Sequence, residues 1–432
     1  MFDRVECRYC EQSPVDSDER RNHLRDIHTR VFDNGLSLVL EPKKNVKSCS
    51  VQWVFPAGSC TDHSEAVGLS VMLADMLPRG AADLDSRSLS DAMDRCGMRR
   101  SSDVGIHHLV LSATMLGSDL ERGLDLTSSM VLDPTLPEDA LEPIRSLSLQ
   151  SLDSLQDDPQ QEIMYRLRAR HRRSPFNRSG YGEREAIESA TIEQLREAWR
   201  LRMVPHGSIL SVAGEVDPTE MERWVEARLS DWTGTPQEAS DMKDRIGGIE
   251  HVERDTSQVH IAIAWDAPPE PHPDSVLERI ATRVFGGSSS GRLFTEVRQK
   301  RSLCYSVSGV YRGGRDVGVI SVYSGTTPER AQETFDTCLS EFHRMSKGID
   351  KDEFRRIKTG LESALVLSGE SSSARANALV ADYFRLGRAR TLEQLREDIA
   401  SVSLDQVNEY LENRHAGDPT IVTMGPVALQ MD

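Results

Sequence analysis

The chain has 432 residues, 38% of them hydrophobic and 28% charged, with a formal net charge of −17 and seven cysteines. A chain of this length builds about two to four domains, each with its own hydrophobic core. No apolar run reaches the roughly 20 residues of a membrane-spanning helix, and the excess of carboxylates argues against a protein that coats nucleic acid. The composition therefore predicts a cytoplasmic protein with an acidic surface, in which scattered cysteines are small buried thiols.

The first 28 residues form an extension that carries a zinc-site spacing. Cys7, Cys10, His23 and His28 follow the pattern C-x2-C-x12-H-x4-H. Two thiolates and two imidazoles at this spacing supply the tetrahedral ligand set of a structural zinc, with both histidines on one face of a helix. An extension without metal is the alternative, because the aromatic and leucine residues that form the core of a zinc finger are missing.

After the extension, alternating strands and amphipathic helices follow in mixed order, and two stretches recur about 210 residues later. Residues 109–131 and 318–342 each read as strand, turn and helix. Residues 189–218 and 400–427 each read as helix, loop, apolar strand and glycine turn, and a Thr or Ser before each helix fits an N-cap. The agreement of the two offsets predicts a duplicated domain of about 200 residues.

The domain boundary lies in a polar segment without apolar periodicity. We predict an N-terminal domain at residues 29–235, a linker at 236–255 and a C-terminal domain at 256–432. The mixed order of elements predicts an α+β fold of two homologous domains, each an antiparallel or mixed sheet covered on one side by helices.

A basic run, RLRARHRR, occupies residues 166–173 of a predicted helix. Charge runs on helices are usually solvated faces. A surface that docks a partner is the alternative for this run.

Several segments together resemble the pitrilysin-type metallopeptidases, the family that includes the mitochondrial processing peptidase. In that family, an AGS-type strand end leads to a helix of the form G-L-x-H-x-x-E-H-M-L-x-x-G-T. The matching segments here are FPAGSCTDHSEA (55–66), VGLSVMLADMLPRGA (67–81), AGEVDP (213–218) and FGGSSSGRLFTEVRQKRSLCYSVSG (285–309). The resemblance covers residues 29–432 and implies that the two domains form half of a clamshell chamber.

The zinc motif of the family is lost in this sequence. Its two histidines and its glutamate base correspond to Val71, Ala74 and Asp75. Valine and alanine side chains bind no metal, so this helix is expected to have repacked as core and to hold no catalytic zinc.

The third family ligand, a glutamate, is also lost. Its neighbourhood, residues 149–152, reads Leu-Gln-Ser-Leu and contains no carboxylate. A site rebuilt from His63, Glu65 and Asp75 is the alternative, but catalytic zinc needs three protein ligands that converge on one point.

An arginine and a tyrosine survive in the second half of the chain. Arg298 and Tyr305 match a family pair that, by resemblance, faces the zinc domain across the chamber and helps to bind and polarise the substrate peptide bond. The loop 286–291 before them is expected to be a turn that lines the chamber. Without the resemblance, Arg298 would be one of several basic residues on a solvated helix and Tyr305 the first residue of a strand.

The resemblance implies a division of labour, because in some bacterial members one chain carries the zinc motif and another carries the Arg/Tyr pair. We expect this chain to be the second kind, inactive alone and paired with a zinc-bearing paralogue or with itself to cleave peptides. A pseudoenzyme that serves as a scaffold is the alternative. A zinc-finger regulator fused to an inactive peptidase fold is a third reading.

Overall fold

The computed structural model describes residues 27–237 and 241–430. Its strands are β1 (His28–Val31), β2 (Ser37–Pro42), β3 (Ser48–Phe55), β4 (Gly80–Ala81), β5 (Leu84–Asp85), β6 (Arg99–Val104), β7 (Leu109–Leu116), β8 (Ile209–Gly214), β9 (Ile249–Glu253), β10 (Val259–Ala267), β11 (Cys304–Gly313), β12 (Gly318–Thr326) and β13 (Thr420–Gly425).

The α-helices are α1 (Leu69–Met76), α2 (Ser86–Arg95), α3 (Leu120–Leu132), α4 (Leu141–Gln156), α5 (Pro159–His171), α6 (Arg184–Ser189), α7 (Ile192–Arg202), α8 (Pro218–Leu229), α9 (Ser275–Gly286), α10 (Ala331–Arg344), α11 (Lys351–Glu370), α12 (Ser372–Leu386), α13 (Leu392–Ser401) and α14 (Leu404–Glu412). A π-helical turn spans Phe294–Gln299. In the part of the chain that the structure describes, no helix is both long and apolar enough to cross a bilayer.

The strands form two large sheets of the same topology. The first has the order β1-β2-β8-β3-β7-β6 and the second the order β9-β13-β10-β12-β11, while β4 and β5 form a separate ribbon. Apart from β1, each strand of the first sheet has a counterpart at the same place in the second. With β1 left aside, the strand of each sheet that comes first in the chain pairs in parallel with the strand that comes last. These pairs are β2 with β8 and β9 with β13. The predicted α+β fold of two homologous domains with mixed sheets is confirmed.

The recurring stretches of the sequence correspond to equivalent elements. The first repeat is β7 followed by α3, which matches β12 followed by α10, and the second is α7 with β8, which matches α14 with β13. Thr191 and Ser403 are the N-caps of α7 and α14. Each makes a capping box with a glutamine three residues later, because hydroxyl and amide side chains satisfy free backbone groups of the first turn.

Strand β3 shows why the first sheet is buried on both faces. Its alternate residues Val51, Trp53 and Phe55 pack into the large core formed with the helices of the first domain. Val54 points to the opposite face and packs against Leu379 of α12, a helix of the second domain. The alternation of side chains along the strand therefore serves two separate cores.

The two domains exchange one helix each. Ala376 and Leu379 of α12 pack on the first sheet. Ile163 and Leu167 of α5, a helix of the first domain, pack on the second sheet against apolar residues such as Ala262. In addition to the helices on its own side, each sheet is thus partly covered by a helix from the other domain.

Ion pairs line the border between α5 and the second sheet. Glu162 is buried and lies 2.6 Å from the guanidinium of Arg254. Glu250 of β9 lies 3.3 Å from both Arg166 and Arg170 of α5. These pairs fix α5 on the second domain.

Strand β9 lies inside the segment 236–255 that was predicted to be a linker. Its sequence, IEHVE, is polar because it forms an edge of the second sheet, where only β13 pairs with it. The second sheet therefore begins before residue 256, and periodicity missed this strand because no residue of it is fully buried.

The five cysteines in the described ranges are buried and free, as predicted: Cys49, Cys60, Cys96, Cys304 and Cys338.

Candidate functional site

Helix α1 occupies the place of the family zinc helix, and its start is fixed by a buried carboxylate. Asp62 accepts hydrogen bonds from the backbone amides of Gly68 (2.9 Å) and Ser70 (3.0 Å). The same carboxylate lies 2.5 Å from Arg202, and both side chains are buried. Gly68 has φ 127°, and a Cβ there would lie 2.9 Å from the Ile187 side chain. Glycine is therefore required at this N-cap.

The three family positions on α1 contain no set of metal ligands. Val71 is half-buried against the core of the first domain, and Ala74 is only 2% exposed. Asp75 is half-buried, and burial raises the pKa of its carboxyl while Arg79 lowers it. A single carboxylate beside two aliphatic side chains does not fit the zinc that the family resemblance implies.

The rest of the implied zinc site is also missing. Helix α4 packs against α1, but its residues 149–152 carry no carboxylate. His63 and Glu65 are exposed in the segment before α1. Within residues 27–237 and 241–430, no group of three or more His, Cys, Asp or Glu side chains could hold a metal ion.

Arg298 lies on the π-helical turn and its side chain is exposed. Its guanidinium carbon is 5.0 Å from the centre of the Phe294 ring, a cation–π contact that supports the side chain from one side. Among the described residues, no carboxylate forms an ion pair with it. The positive charge of Arg298 is therefore available to a ligand.

The other three basic residues of this segment are paired. Arg292 makes two hydrogen bonds of 2.8 Å to Glu353 at the start of α11, which anchor the π-helical turn. Lys300 and Arg301 both bind Glu296, at 2.8 and 2.9 Å. This difference separates Arg298 from the charges of an ordinary solvated helix.

Tyr305 lies at a β-bulge in β11. The register against β12 shifts between Cys304 and Ser306, so Tyr305 has no residue opposite it. Cys304 and Val307 both contact the core of the second domain, and the bulge therefore turns Tyr305 towards the opposite face. The tyrosine is 73% exposed.

The backbone between the two residues is tightly held. Ser302 has φ 54°, a left-handed conformation that few residues other than glycine adopt, and its amide donates to the Arg298 carbonyl at 3.1 Å. The amide of Leu303 donates to the Val297 carbonyl at 2.9 Å. An exposed guanidinium and an exposed phenol on such a rigid backbone can both donate hydrogen bonds to a peptide carbonyl.

Of the predicted zinc ligands in the extension, only His28 belongs to the described residues, and Cys7, Cys10 and His23 lie outside them. His28 begins β1 and pairs with Leu40 of β2. The expectation that His28 follows His23 on a helix is thus not met at His28, because this residue extends the first sheet. The structural zinc itself stays a prediction.

Sequence reasoning missed a cluster of arginines at the border of the two domains. The run 166–173 is predicted to be a solvated helix face, with a surface that docks a partner as the alternative. The structure divides this run. Two of its arginines pair with Glu250, whereas burial and the charge of Arg312, at the end of β11, lower the pKa of Arg168 and Arg172. Some 140 residues separate the two segments in sequence, so no local pattern could have joined them.

Both domains match known peptidase domains. Residues 37–182 match the domain described as insulinase (peptidase family M16), and residues 189–361 match the domain described as peptidase M16 inactive domain. The chain belongs to the M16, or pitrilysin-type, metallopeptidase family. The resemblance seen in the sequence is thereby confirmed.

Relatives of similar length are known in bacteria. The uncharacterized zinc protease YmxG of Bacillus subtilis (strain 168) is 23% identical over 404 residues, which cover 91% of this chain and 97% of YmxG. An uncharacterized zinc protease of Mycobacterium tuberculosis (strain ATCC 25618 / H37Rv) is 27% identical over 383 residues, 87% of each chain.

Solved structures share the whole M16 fold of this chain. A peptidase M16 inactive domain from Pseudomonas fluorescens has a TM-score of 0.84 at 20% identity, covering 94% of this chain and 99% of its own. A chain of Complex III2 from Candida albicans, with Inz-5 bound, has a TM-score of 0.79 at 18% identity, covering 93% and 96%. These likenesses concern the fold alone.

Proposed function

We propose that this M16 chain is the substrate-binding subunit of a two-chain zinc peptidase. One contrast supports the proposal. Helix α1, where the family holds zinc, carries the buried Ala74 and the core-packed Val71, whereas Arg298 is exposed without an ion pair in the described part of the chain. The zinc face has become core, while the substrate-binding pair has stayed open to a ligand.

In this function the chain forms half of a chamber and its partner forms the other half. The partner is a zinc-bearing paralogue, which supplies the metal and the base that this chain lacks. Arg298 and Tyr305 donate hydrogen bonds to the carbonyl oxygen of the peptide bond and stabilise the negative charge that develops there during hydrolysis. The complex is expected to act on peptides in the cytoplasm, and the chain alone is expected to be inactive.

The test is to co-express the chain with a family member that has an intact H-x-x-E-H motif and to measure peptide turnover. Arg298→Ala should lower kcat by about 100-fold or more, the usual loss on removal of one oxyanion donor. Lys300→Ala is the matched control, since Lys300 is an exposed neighbour that binds Glu296, and it should leave kcat unchanged. Equal turnover of the Arg298→Ala complex and the wild type refutes the catalytic role.

A scaffold without a role in proteolysis is the second candidate. The observation behind it is that a chain of the same fold occurs within Complex III2 of Candida albicans. In this case the chain would co-purify with a partner, but neither Arg298→Ala nor Tyr305→Phe would change any peptidase activity of the complex. A chelator-sensitive peptidase activity of the purified chain alone would contradict both candidates.

A further inference from the structure

A cavity of about 560 Å³ opens where the end of α5 meets the turn between β11 and β12. Arg172 and Arg173 line it from the first domain, and Arg315 lines it from the second. Arg168 on α5 and Arg312 on β11 lie outside this lining, but their charges act on Arg172. We call these five residues the arginine cluster.

Four of the five arginines of the cluster lack a carboxylate partner in the part of the chain that the structure describes. Within the described ranges, no ion pair reaches Arg168, Arg172, Arg173 or Arg312. Arg315 has only Asp316, at 4.0 Å. Burial and neighbouring guanidinium charges lower the pKa of both Arg168 and Arg172, so the charges repel one another. An anion that binds between these guanidinium groups relieves the repulsion.

The carboxylates at the cavity offset only part of this charge. Asp266 is bound to Arg245 at 2.7 and 2.8 Å, so its charge is already compensated. Asp244 and Asp316 are the remaining acidic residues of the lining, so two carboxylates face the five guanidinium groups of the cluster. Although the whole chain carries a net charge of −17, the surroundings of this cavity are locally positive. The acidic composition therefore does not describe this part of the surface.

A buried histidine supplies an independent observation. His171 lines the same cavity and is 4% exposed. Its Nδ1 lies 2.9 Å from the Thr420 hydroxyl, while its Nε2 makes no hydrogen bond within the described chain and lies 3.4 Å from the Asp266 carboxylate. In the tautomer in which Thr420 donates to Nδ1, Nε2 carries a proton for which the described chain supplies no hydrogen-bond acceptor.

We propose that the arginine cluster binds the carboxylates of an acidic segment of a peptide, which makes acidic peptides the substrate class of the proposed peptidase subunit. The inference rests on that proposed function. Guanidinium groups suit carboxylates because their fork of donors matches both oxygens.

The geometry of β11 gives the expected position of the acidic segment. Val307 and Tyr311 contact the core of the second domain, so Arg312 lies on the same outer face as the bulged Tyr305. Seven residues of a strand separate them, or about 23 Å. An extended peptide bound at Tyr305 is long enough to reach the cluster. Its acidic side chains would then lie about seven residues from the bond that is cleaved. This spread along a strand favours a peptide over a single small anion.

The test measures peptide binding to the purified full chain by fluorescence anisotropy. The probe is a fluorescein-labelled peptide with a run of glutamates, compared with a twin in which glutamines replace them. The glutamate peptide should bind at least about tenfold more tightly, and Arg168→Gln/Arg312→Gln should abolish the difference. Arg355→Gln, an exposed arginine paired with Asp352 on α11, is the matched control and should keep it.

Three outcomes overturn the proposal. The first is equal binding of both peptides, and the second is an unchanged preference for the glutamate peptide in the double variant. The third is displacement of the glutamate peptide by inorganic phosphate at phosphate concentrations below the Kd of the peptide. The last outcome would assign the cluster to free phosphate. Removing charges that repel one another should not unfold the chain, and thermal unfolding of the double variant checks this. Arg172→Gln is a second variant for the same binding test. The preference for the glutamate peptide is measured without turnover. The Arg298→Ala experiment can therefore refute the proposed function while the measured preference stays valid.

Discussion

Glu41 in the first domain is bound to Arg375 in the second. The Arg375 Nε lies 3.1 and 2.9 Å from the two carboxylate oxygens of Glu41, and a terminal nitrogen of the guanidinium donates to the same carboxylate. The guanidinium also donates to the backbone carbonyl of Arg390 at 3.2 Å, and Arg375 is only 1% exposed. The pair therefore fixes α12 on strand β2, where the second domain covers the sheet of the first.

Breaking this pair should destabilise the whole chain. Arg375→Ala leaves the largely buried Glu41 carboxylate without its partner, which costs about 3–5 kcal/mol of unfolding free energy. Urea unfolding followed by circular dichroism measures the loss. The control is Arg355→Ala, since Arg355 and its partner Asp352 are 74% and 70% exposed and should contribute about 0–1 kcal/mol. An equal effect of the two variants would show that the pair does not hold the domains together.

His171 should make the fold sensitive to acid. Burial lowers the pKa of His171 from its ordinary 6.5 to about 4; the carboxylate of Asp266 opposes this, while the charges of Arg245 and Arg172 add to it. Between these two values the unfolded chain binds a proton that the folded chain does not. Stability is therefore complete above the ordinary pKa and falls as the pH drops towards 4, by up to about 3 kcal/mol.

Replacing this histidine should remove part of the acid sensitivity. Between about pH 7 and pH 5, the unfolding free energy of His171→Gln should fall by about 2 kcal/mol less than that of the wild type, as measured by urea unfolding at each pH. His343→Gln on the exposed face of α10 is the control and should follow the wild-type curve. If His171→Gln loses as much stability in acid as the wild type, another group is responsible.

The thiols offer a test of the predicted zinc in the extension. Burial raises the pKa of Cys49 to about 12 and of Cys60 to about 11, and it also raises the pKa of Cys338. Because the thiolate is the reactive form, the buried cysteines should react slowly near neutral pH. If Cys7 and Cys10 bind zinc, a thiol reagent should label two thiols rapidly, and only after a chelator is added.

The matched variant for this test is Cys7→Ser/Cys10→Ser, which should abolish the chelator-dependent labelling and the zinc content of the purified chain. Two thiols that react rapidly without a chelator would show that the extension binds no metal. That result would also remove the reading of the chain as a zinc-finger regulator.

Local signals in the sequence predicted much of the fold. A hydroxyl residue before an amphipathic stretch, as at Thr191 and Ser403, marks a helix start because the cap satisfies neighbouring backbone groups. The exchange of α5 and α12 between domains could not be predicted in this way. Apolar residues such as Leu167 and Leu379 indicate that a helix has a buried face, but not which sheet it covers.

The same limit holds for the candidate site: local features are visible in the sequence, whereas contacts between distant residues are not. The loss of ligands at Val71 and Ala74 is visible in the sequence because the family motif has fixed spacing. The free charge of Arg298 is not visible in the sequence, because it stands out only once its basic neighbours are seen to be paired. The partner of Arg292, for example, lies 61 residues away in the chain. The buried pair of Asp62 and Arg202, 140 residues apart, likewise had no local signal.

Restoring the family motif on α1 should fail to restore a zinc site. In Val71→His/Ala74→Glu/Asp75→His, the new glutamate replaces a side chain that is 2% exposed, which should cost about 1–3 kcal/mol. The two new histidines lack a third protein ligand, because residues 149–152 of the neighbouring α4 carry no carboxylate. Zinc per chain, measured after dialysis, should therefore equal that of the wild type, and thermal unfolding should show a lower Tm. The single variant Asp75→His, at a half-buried position, should change the Tm less. One additional zinc per chain in the triple variant would show that α1 and its neighbours still form the family site, and that its loss in this chain is a matter of three side chains alone.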